Sequence, residues 1–167
     1  FVFFSIILFC SLGTWQVYRL QWKLNLINEI NYGLNSEPIL YSNANVINYQ
    51  KVKFNGIFDF EKQIYLYSLN NKGAPGYDII TPLKMNSNEI LLVNRGWIKK
   101  DVRDNKSINS INSNSFEGII KKITKPNPFK PENDIKNNIW YSLKLEDLES
   151  FTGYKLNNFV LYLQNNQ

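Results

Sequence analysis

The stretch Glu89–Ile98, EILLVNRGWI, decides how the rest of the chain can fold. Its residues 90–93 are continuously apolar, which is typical of a strand that is buried on both faces. A turn sequence, Asn86-Ser87-Asn88, comes just before it, and an alternating run from Tyr77 to Met85 precedes that turn. We therefore predict two consecutive strands, the second of which lies inside a layered domain.

Further strands are predicted on both sides of this pair. Upstream, Val52, Phe54 and Phe58 alternate with polar residues, and Gly56 in this run indicates a bulge or a close approach of another backbone. An aromatic-rich run, Ile64–Leu69, predicts the next strand, and the turn sequence 72–76 separates it from Tyr77.

Downstream of the central strand, the pattern predicts a loop, two more strands and a helix. Asp101–Ser115 has no periodicity and is predicted to be a loop, whereas Phe116–Thr124 and Phe159–Leu163 are predicted strands. Apolar residues at helical spacing over 145–151, ended by Gly153, predict one short helix. Five or six strands with one helix predict an α+β domain, mainly antiparallel β, built as a curled sheet or small barrel.

The N-terminal segment predicts a membrane anchor. Phe1–Tyr18 carries no charged side chain, and as a helix it would span about 27 Å, close to the ~30 Å hydrocarbon core of a bilayer. A cleaved signal peptide is disfavoured because Leu12-Gly13-Thr14-Trp15 lacks the small-residue cleavage pattern. The membrane lipid is therefore one expected partner. We predict a transmembrane anchor with an amphipathic stem over residues 1–30 and a β-rich domain over residues 31–167.

Composition excludes several kinds of chemistry. The chain has 167 residues, no His and one Cys, so Ser-His-Asp and Cys-His nucleophiles, His-based zinc sites and an intrachain disulfide are all excluded. The net charge of +5 comes from scattered lysines rather than a basic stripe, and no nucleic-acid partner is expected. The acidic residues form local clusters without metal-ligand spacing, so we predict no catalytic residue and no metal site.

The segment Asn94-Arg95-Gly96-Trp97 is a candidate site at the end of the central strand. An Arg beside a core strand needs a carboxylate or carbonyl partner, so Arg95 can simply fix the strand end while Trp97 fills the core. Arg and Trp are also the residue types that anchor interfaces. Both interpretations, structural and docking, stay open.

Five blocks of the sequence resemble the surfeit locus protein 1 family. They are the run from Gly13 to Lys23 (GTWQVYRLQWK), Val52-x-Phe54-x-Gly56-x-Phe58, the run from Gly73 to Leu83 (GAPGYDIITPL), Val93-Asn94-Arg95-Gly96-Trp97-Ile98, and Pro131-Glu132-Asn133 followed by Trp140-Tyr141 and Asp147-Leu148. They occur in order over nearly the whole chain.

This resemblance implies an assembly factor for cytochrome c oxidase rather than an enzyme. It implies an anchor in the bacterial inner membrane, or less readily the mitochondrial one, and a domain facing the periplasm. The implied partner is the large catalytic subunit of the oxidase, and the implied cofactor is haem a. The family has two spans and a suspected haem-ligating His at the second; this chain shows one span and no His, so we expect a truncated C-terminal end and assign no haem ligand here.

The resemblance also places candidate residues. Trp15, Arg19 and Trp22 are weak candidates for holding a porphyrin edge and propionate, although aromatic residues and Arg at a membrane surface are explained equally well by the lipid interface alone. A second set is expected to face a partner protein: Gly13, Gln16, Tyr77, Asn94, Arg95 and Trp97.

Two functions of other classes remain open. A membrane-anchored small-ligand or peptide-binding module predicts a roomy apolar pocket in the β-domain. An anchored enzyme using Lys or carboxylates predicts a deep cleft with converging acids whose pKa values are strongly perturbed.

Overall fold

A computed structural model describes residues 1–42, 47–103 and 115–164. These ranges hold two α-helices and nine β-strands, which in chain order are α1 Val2–Asn35, β1 Ile39–Leu40, β2 Lys51–Asn55, β3 Ile57–Phe58, β4 Ile64–Leu69, β5 Pro75–Lys84, β6 Ile90–Lys99, β7 Ser115–Lys122, β8 Ile139–Trp140, α2 Leu145–Thr152 and β9 Phe159–Leu163. Two short 3-10 turns, 60–62 and 100–102, follow β3 and β6.

Helix α1 is a single 34-residue helix that projects away from the sheet. Every residue up to Asn25 is exposed, and Leu26 is the first that is partly covered by the domain. The exposed part contains the apolar run of the predicted anchor, and the helix is long and apolar enough to cross a membrane. The helix continues past Ile30, where the predicted stem ends, to Asn35, and Pro38 follows shortly after.

A close contact fastens the end of α1 to the sheet. Gly33 is buried, and a Cβ at this position would overlap the carbonyl of Tyr49. Tyr49 in turn donates its backbone N–H to the Ile120 carbonyl of β7 at 2.7 Å, and the backbone N–H of Lys122 donates to the Asn48 side chain at 3.0 Å. The C-terminal end of α1 is therefore connected to β7 through Asn48 and Tyr49.

The strands form one mixed sheet in the order β1-β2-β7-β9-β6-β5-β4-β8, with β3 beside β5. The β5–β6, β4–β5, β2–β7, β7–β9 and β3–β5 pairs are antiparallel. The β6–β9, β1–β2 and β4–β8 pairs are parallel. The predicted fold class is confirmed, and the sheet stays open instead of closing into a barrel because β1 and β8 end the path without pairing to each other.

Both faces of the central strands are buried, as the apolar run in β6 predicts. Leu91 and Val93 belong to one apolar cluster, which also contains Phe54 and Leu161. Leu92 points into the second cluster, whose other members include Trp140 on β8 and Leu148 on α2. Alternation along one strand thus supplies two cores, one on each side of the sheet.

Local predictions agree with the structure except for the number of strands. A Cβ on Gly56 would overlap Leu83 and the Lys84 carbonyl, which is the predicted close approach, and α2 ends at Gly153, with φ 72°, as predicted. The sequence pattern does not predict β1 and β8, which have two residues each and are too short to carry a periodic signal. The predicted strand through Val52 and Phe58 is divided at Gly56 into β2, which pairs with β7, and β3, which pairs with β5. Most of the predicted loop 101–115 lies outside the described residues.

Candidate functional site

The Asn94–Trp97 segment contains an irregularity in the β5–β6 pairing. Asp78 pairs with Trp97 and Ile80 pairs with Asn94, so one β5 residue faces two residues of β6. Gly96 has φ 115°, and its N–H donates to the Asn94 side-chain oxygen at 2.8 Å. A side chain is strained at that φ, so glycine at position 96 permits the bulge. The bulge changes the direction in which the neighbouring side chains point.

Arg95 is held by neutral groups and aromatic rings on the first core face. Its Nη1 donates to the Gln63 side-chain oxygen at 2.8 Å and lies 3.4 Å from the Thr81 hydroxyl. Its guanidinium lies over the rings of Phe60 and Phe58, at 4.9 and 5.6 Å from their centres, and those two rings stack on each other. We call Arg95, Gln63, Thr81, Phe58 and Phe60 the Arg95 cluster.

The surroundings of Arg95 lower the pKa of its guanidinium. Burial is the main cause, and it is opposed by the electrostatic influence of the Tyr65 hydroxyl. An arginine keeps its charge in a protein even so. Gln63 connects the cluster further, because its side-chain nitrogen donates to the Tyr65 hydroxyl at 2.9 Å, and that hydroxyl donates to the Arg103 carbonyl at 3.2 Å. Arg95 therefore connects β6, through Gln63 and Tyr65, to the beginning of β4. The same hydrogen bonds continue to Arg103, which follows the 3-10 turn 100–102.

Asn94 points to the opposite face, where it lies near Asp78 and Tyr162. Burial raises the pKa of the Asp78 carboxyl, and hydrogen bonding to Ser68 and Asn94 and the charge of Lys121 partly oppose this. Burial also raises the pKa of the Tyr162 hydroxyl, again opposed by Asn94. Asn94 is only 3% exposed, so any effect on a partner would act through these neighbours.

Trp97 and Tyr77 are packing residues as well. The Trp97 ring lies on Gly76, where a Cβ would overlap it, and its ring N–H lies 3.4 Å from the Ser68 carbonyl. Tyr77 is 4% exposed and makes edge contacts with the rings of Tyr65 and Tyr67. Docking roles for Tyr77, Asn94, Arg95 and Trp97 stay predictions.

The second candidate site lies on α1 and is open. At 3.6 residues per turn, Trp15, Tyr18, Arg19 and Trp22 share one face of the helix, and we call them the membrane collar. Trp15 and Trp22 are 55% and 62% exposed. Arg19 lies over the Trp15 ring at 5.2 Å from its centre. The collar thus presents aromatic faces and one cation outward from a single helix face.

The other predicted α1 residues do not share the collar's face. Two positions before Trp15, Gly13 is turned about 160° away from it, and Gln16 is turned about 100°. No atom lies within 4 Å of where a Gly13 Cβ would be, so the space beside it is open. A partner helix that approached Gly13 would leave the collar accessible on the opposite side. These roles also stay predictions.

The collar does not provide a complete haem site. Arg19 could pair with a propionate and the Trp rings could contact a porphyrin edge. Iron is usually held by His, Cys, Met or Tyr. The chain has no His, its one Cys, Cys10, lies in the apolar part of α1, and its one Met, Met85, packs against the first core. Tyr18 is the one collar residue of these types, and no second such side chain accompanies it in the collar, so we assign no iron ligand and derive no step through the iron.

Sequence reasoning missed several residues that build the sites. Gln63, Tyr65 and Arg103 were not singled out, although the guanidinium of Arg103 lies over Tyr65 and Tyr77 at 4.8 and 5.6 Å. The aromatic richness of β4 was the available signal. No spacing pattern connects Gln63 to Arg95, because their contact arises from the order of the strands.

The two alternative functions gain little from the described residues. In the described parts of the chain, no group of three or more His, Cys, Asp or Glu could hold a metal ion. Asp78 is half-buried with a raised pKa, but it faces an Asn and a Lys, and no converging acid accompanies it among the groups that shift its pKa. Apolar side chains pack on both faces of the sheet, and the clefts left on the second face are about 320 and 290 Å³ in volume.

Comparison with known proteins gives a consistent picture. The model of the SURF1 family matches residues 3–167. The SURF1-like protein of Rickettsia conorii is 34% identical over 167 residues, covering 96% of this chain and 68% of that protein. Surfeit locus protein 1 of Takifugu rubripes is 30% identical over 166 residues (86% of this chain, 69% of that protein), and that of Gallus gallus is 31% identical over 168 residues (87% and 54%).

Proposed function

The chain belongs to the SURF1 family, and from this premise we propose that it is a membrane-anchored assembly factor for cytochrome c oxidase. In this proposal it binds the large catalytic subunit of the oxidase and stabilises that subunit, or assists its loading with haem a, without catalysing a reaction itself. The observation that carries the proposal is the family match over residues 3–167.

The structure supports a holding function in two ways. First, α1 is exposed along its apolar length, so a neighbouring membrane protein can reach it within the bilayer. Second, the collar places Trp and Arg, which are the residue types enriched at energetically important interface positions, on one accessible helix face. Association between helices in a membrane depends on close packing and polar contacts. Small changes in the surface of α1 can therefore change the affinity for a partner helix.

We further propose that the anchor lies in the inner membrane with the sheet on the periplasmic side. The length and apolar character of α1 support anchoring, and the collar supports a membrane surface near residues 15–22. Haem a belongs to the proposal as cargo of the assembly process. Its iron is assigned no ligand in this chain.

A gene-replacement experiment tests the proposed function. Cells that lack the gene should contain less assembled cytochrome c oxidase, measured as the haem a absorbance of their membranes and as oxidase activity. Supplying the gene should restore both. Normal oxidase in the deletion strain, with other haem proteins also unchanged, would contradict the proposal.

A further inference from the structure

The second face of the sheet carries a groove that the proposed function does not use. One cleft of about 320 Å³ has an apolar floor that includes Leu66, Val160 and Leu143. A second cleft of about 290 Å³ continues it and shares the wall residues 123–126 and Leu143. The two clefts share five lining residues, and we call the two together the lysine groove.

The rim of the groove is strongly basic. Lys121, Lys122, Lys125, Lys130 and Lys144 line the two clefts, whereas Glu146 is the one acidic residue among the lining residues described. The positive charge of the rim is partly offset by Asp78, which interacts electrostatically with Lys121. Lys130 also donates to the Tyr141 carbonyl at 3.0 Å. Lys121 lies over the Tyr162 ring at 5.3 Å from its centre. The remaining charge still favours an anionic occupant.

The mixed lining of the groove favours a polypeptide segment over a compact anion. Apolar residues and lysines line the same two clefts, and the shared wall 123–126 contains Pro126. A polypeptide with alternating apolar and acidic side chains would direct one set to the floor and the other to the rim. A compact anion would contact the rim without using the floor.

The position of the groove disfavours a lipid headgroup. Lys121 and Lys122 follow Ile120, which is joined through Tyr49 to the end of α1. Leu26, the first partly covered residue of α1, is seven residues beyond Arg19, or about 10 Å along the helix. Gly33 is about 21 Å beyond Arg19. Electrostatic attraction decays over about 8 Å at physiological salt. With the collar at a membrane surface, the end of α1 that contacts Tyr49 lies beyond this range.

We propose that the lysine groove binds an extended acidic polypeptide segment of another protein, with apolar side chains on the floor and carboxylates at the lysine rim. This site is separate from the membrane collar and does not depend on the oxidase being the partner. Charge complementarity of this type governs the rate of association and its salt dependence.

Peptide binding to the purified full chain tests the proposal. The chain is placed in nanodiscs of uncharged phosphatidylcholine, and the probe is a fluorescent peptide of six Glu-Leu repeats, with Glu-Gly repeats as the comparison. The Glu-Leu peptide should bind at least tenfold more tightly than the Glu-Gly peptide, and its Kd should rise with added salt. Absent binding, or equal binding of the two peptides, would overturn the proposal.

Matched charge variants locate the site. The Lys121→Glu/Lys125→Glu variant should weaken Glu-Leu binding at least tenfold. The Lys72→Glu/Lys155→Glu variant changes the net charge equally at exposed lysines that do not line either cleft, and should change Kd less than twofold. Equal loss in both variants would show non-specific attraction and would overturn the proposal.

Two further measurements keep the result interpretable. A milder variant, Lys122→Gln, should weaken binding about threefold, so the proposal remains testable if the double variant does not fold. Nanodiscs that contain anionic phosphatidylglycerol should leave peptide binding unchanged. Displacement of the peptide by that lipid, in the wild-type chain but not in the control variant, would assign the groove to a headgroup and overturn the proposal.

Discussion

Arg19 and Arg95 both lie over aromatic rings, yet the two regions that hold them differ in what else they offer. Arg19 lies 5.2 Å from the centre of Trp15 on a helix face that is otherwise exposed. Arg95 lies 4.9 Å from the centre of Phe60, and it also bonds to Gln63. The first arrangement leaves the cation accessible, whereas the second uses the cation to hold strands together.

This difference shows that residue type alone does not define an interface. Arg and Trp are enriched at binding hot spots, and both segments contain them. In the Arg95 cluster the guanidinium donates to Gln63 and Thr81 within the protein, so a substitution there acts first on stability. In the collar, no such internal network is described for Arg19, and a substitution there acts on whatever the helix contacts.

The largest expected effect on stability comes from adding a Cβ at Gly76, where the Trp97 ring packs. Gly76→Ala should lower the free energy of unfolding by about 2–3 kcal/mol, because the added Cβ overlaps the Trp97 ring and the Ile98 carbonyl. Chemical denaturation in detergent, followed by tryptophan fluorescence, measures it. The control is Gly13→Ala, where no neighbouring atom lies within 4 Å. Equal stability of the Gly76 variant and the wild type would contradict the packing described here.

The next effect concerns the Arg95 cluster itself. Arg95→Lys should lower the free energy of unfolding by about 1–2 kcal/mol, because an ammonium cannot reproduce the planar contact with Phe60 together with the hydrogen bond to Gln63. The same denaturation experiment measures it, and the abundance of the variant in cells should fall as well. Unchanged stability with loss of a partner would instead make Arg95 a docking residue.

An acid titration tests a further contact of the folded domain, between Tyr154 and Asp59. The Tyr154 hydroxyl donates to Asp59 at 2.6 Å and is the main reason that the pKa of Asp59 lies below its usual 3.8; Lys84, 3.0 Å away, also lowers it. A lowered folded-state pKa gives stability that is present above pH 3.8 and is lost as the pH falls through the folded-state value.

The Tyr154→Phe variant should therefore lose less stability than the wild type when the pH is lowered from 5 to 3. Thermal unfolding at a series of pH values measures this slope. Identical slopes in the two proteins would show that Asp59 does not contribute to the acid dependence.

The smallest expected effect on folding is at the collar. Arg19→Ala should change the free energy of unfolding by less than about 0.5 kcal/mol, since the side chain is exposed and its described contact is with Trp15 alone on the same helix. The same denaturation series provides the measurement. A loss comparable to that of Arg95→Lys would remove the distinction between the two regions.

The sequence was sufficient for features that rest on local patterns. The apolar run 90–93 predicts burial on both faces, the Gly153 stop predicts the end of α2, and the uncharged run 1–18 predicts a helix able to span a membrane. Each of these depends on spacing within one segment. The family resemblance was also visible in the motifs and is confirmed by the match over residues 3–167.

Features that rest on strand order could not be predicted in the same way. Gln63 meets Arg95, and Leu66 faces the groove with Tyr162, only because β4, β5, β6 and β9 are neighbours in the sheet. Strand β8 has two residues, which are too few to show the alternation of apolar and polar residues that predicts a strand. The burial of Tyr77 and Asn94 likewise follows from packing around β5 and β6, since both residue types are common at surfaces.

We propose that this chain binds a membrane partner through the collar, while the Arg95 cluster maintains the fold. It is tested most directly by co-purifying the large oxidase subunit with the tagged chain from cells that express wild type, Arg19→Ala or Arg95→Lys. We predict that Arg19→Ala recovers less oxidase subunit per molecule of chain, whereas Arg95→Lys lowers chain and subunit in proportion. Full recovery with Arg19→Ala, together with a lower ratio for Arg95→Lys at normal abundance, would contradict the account.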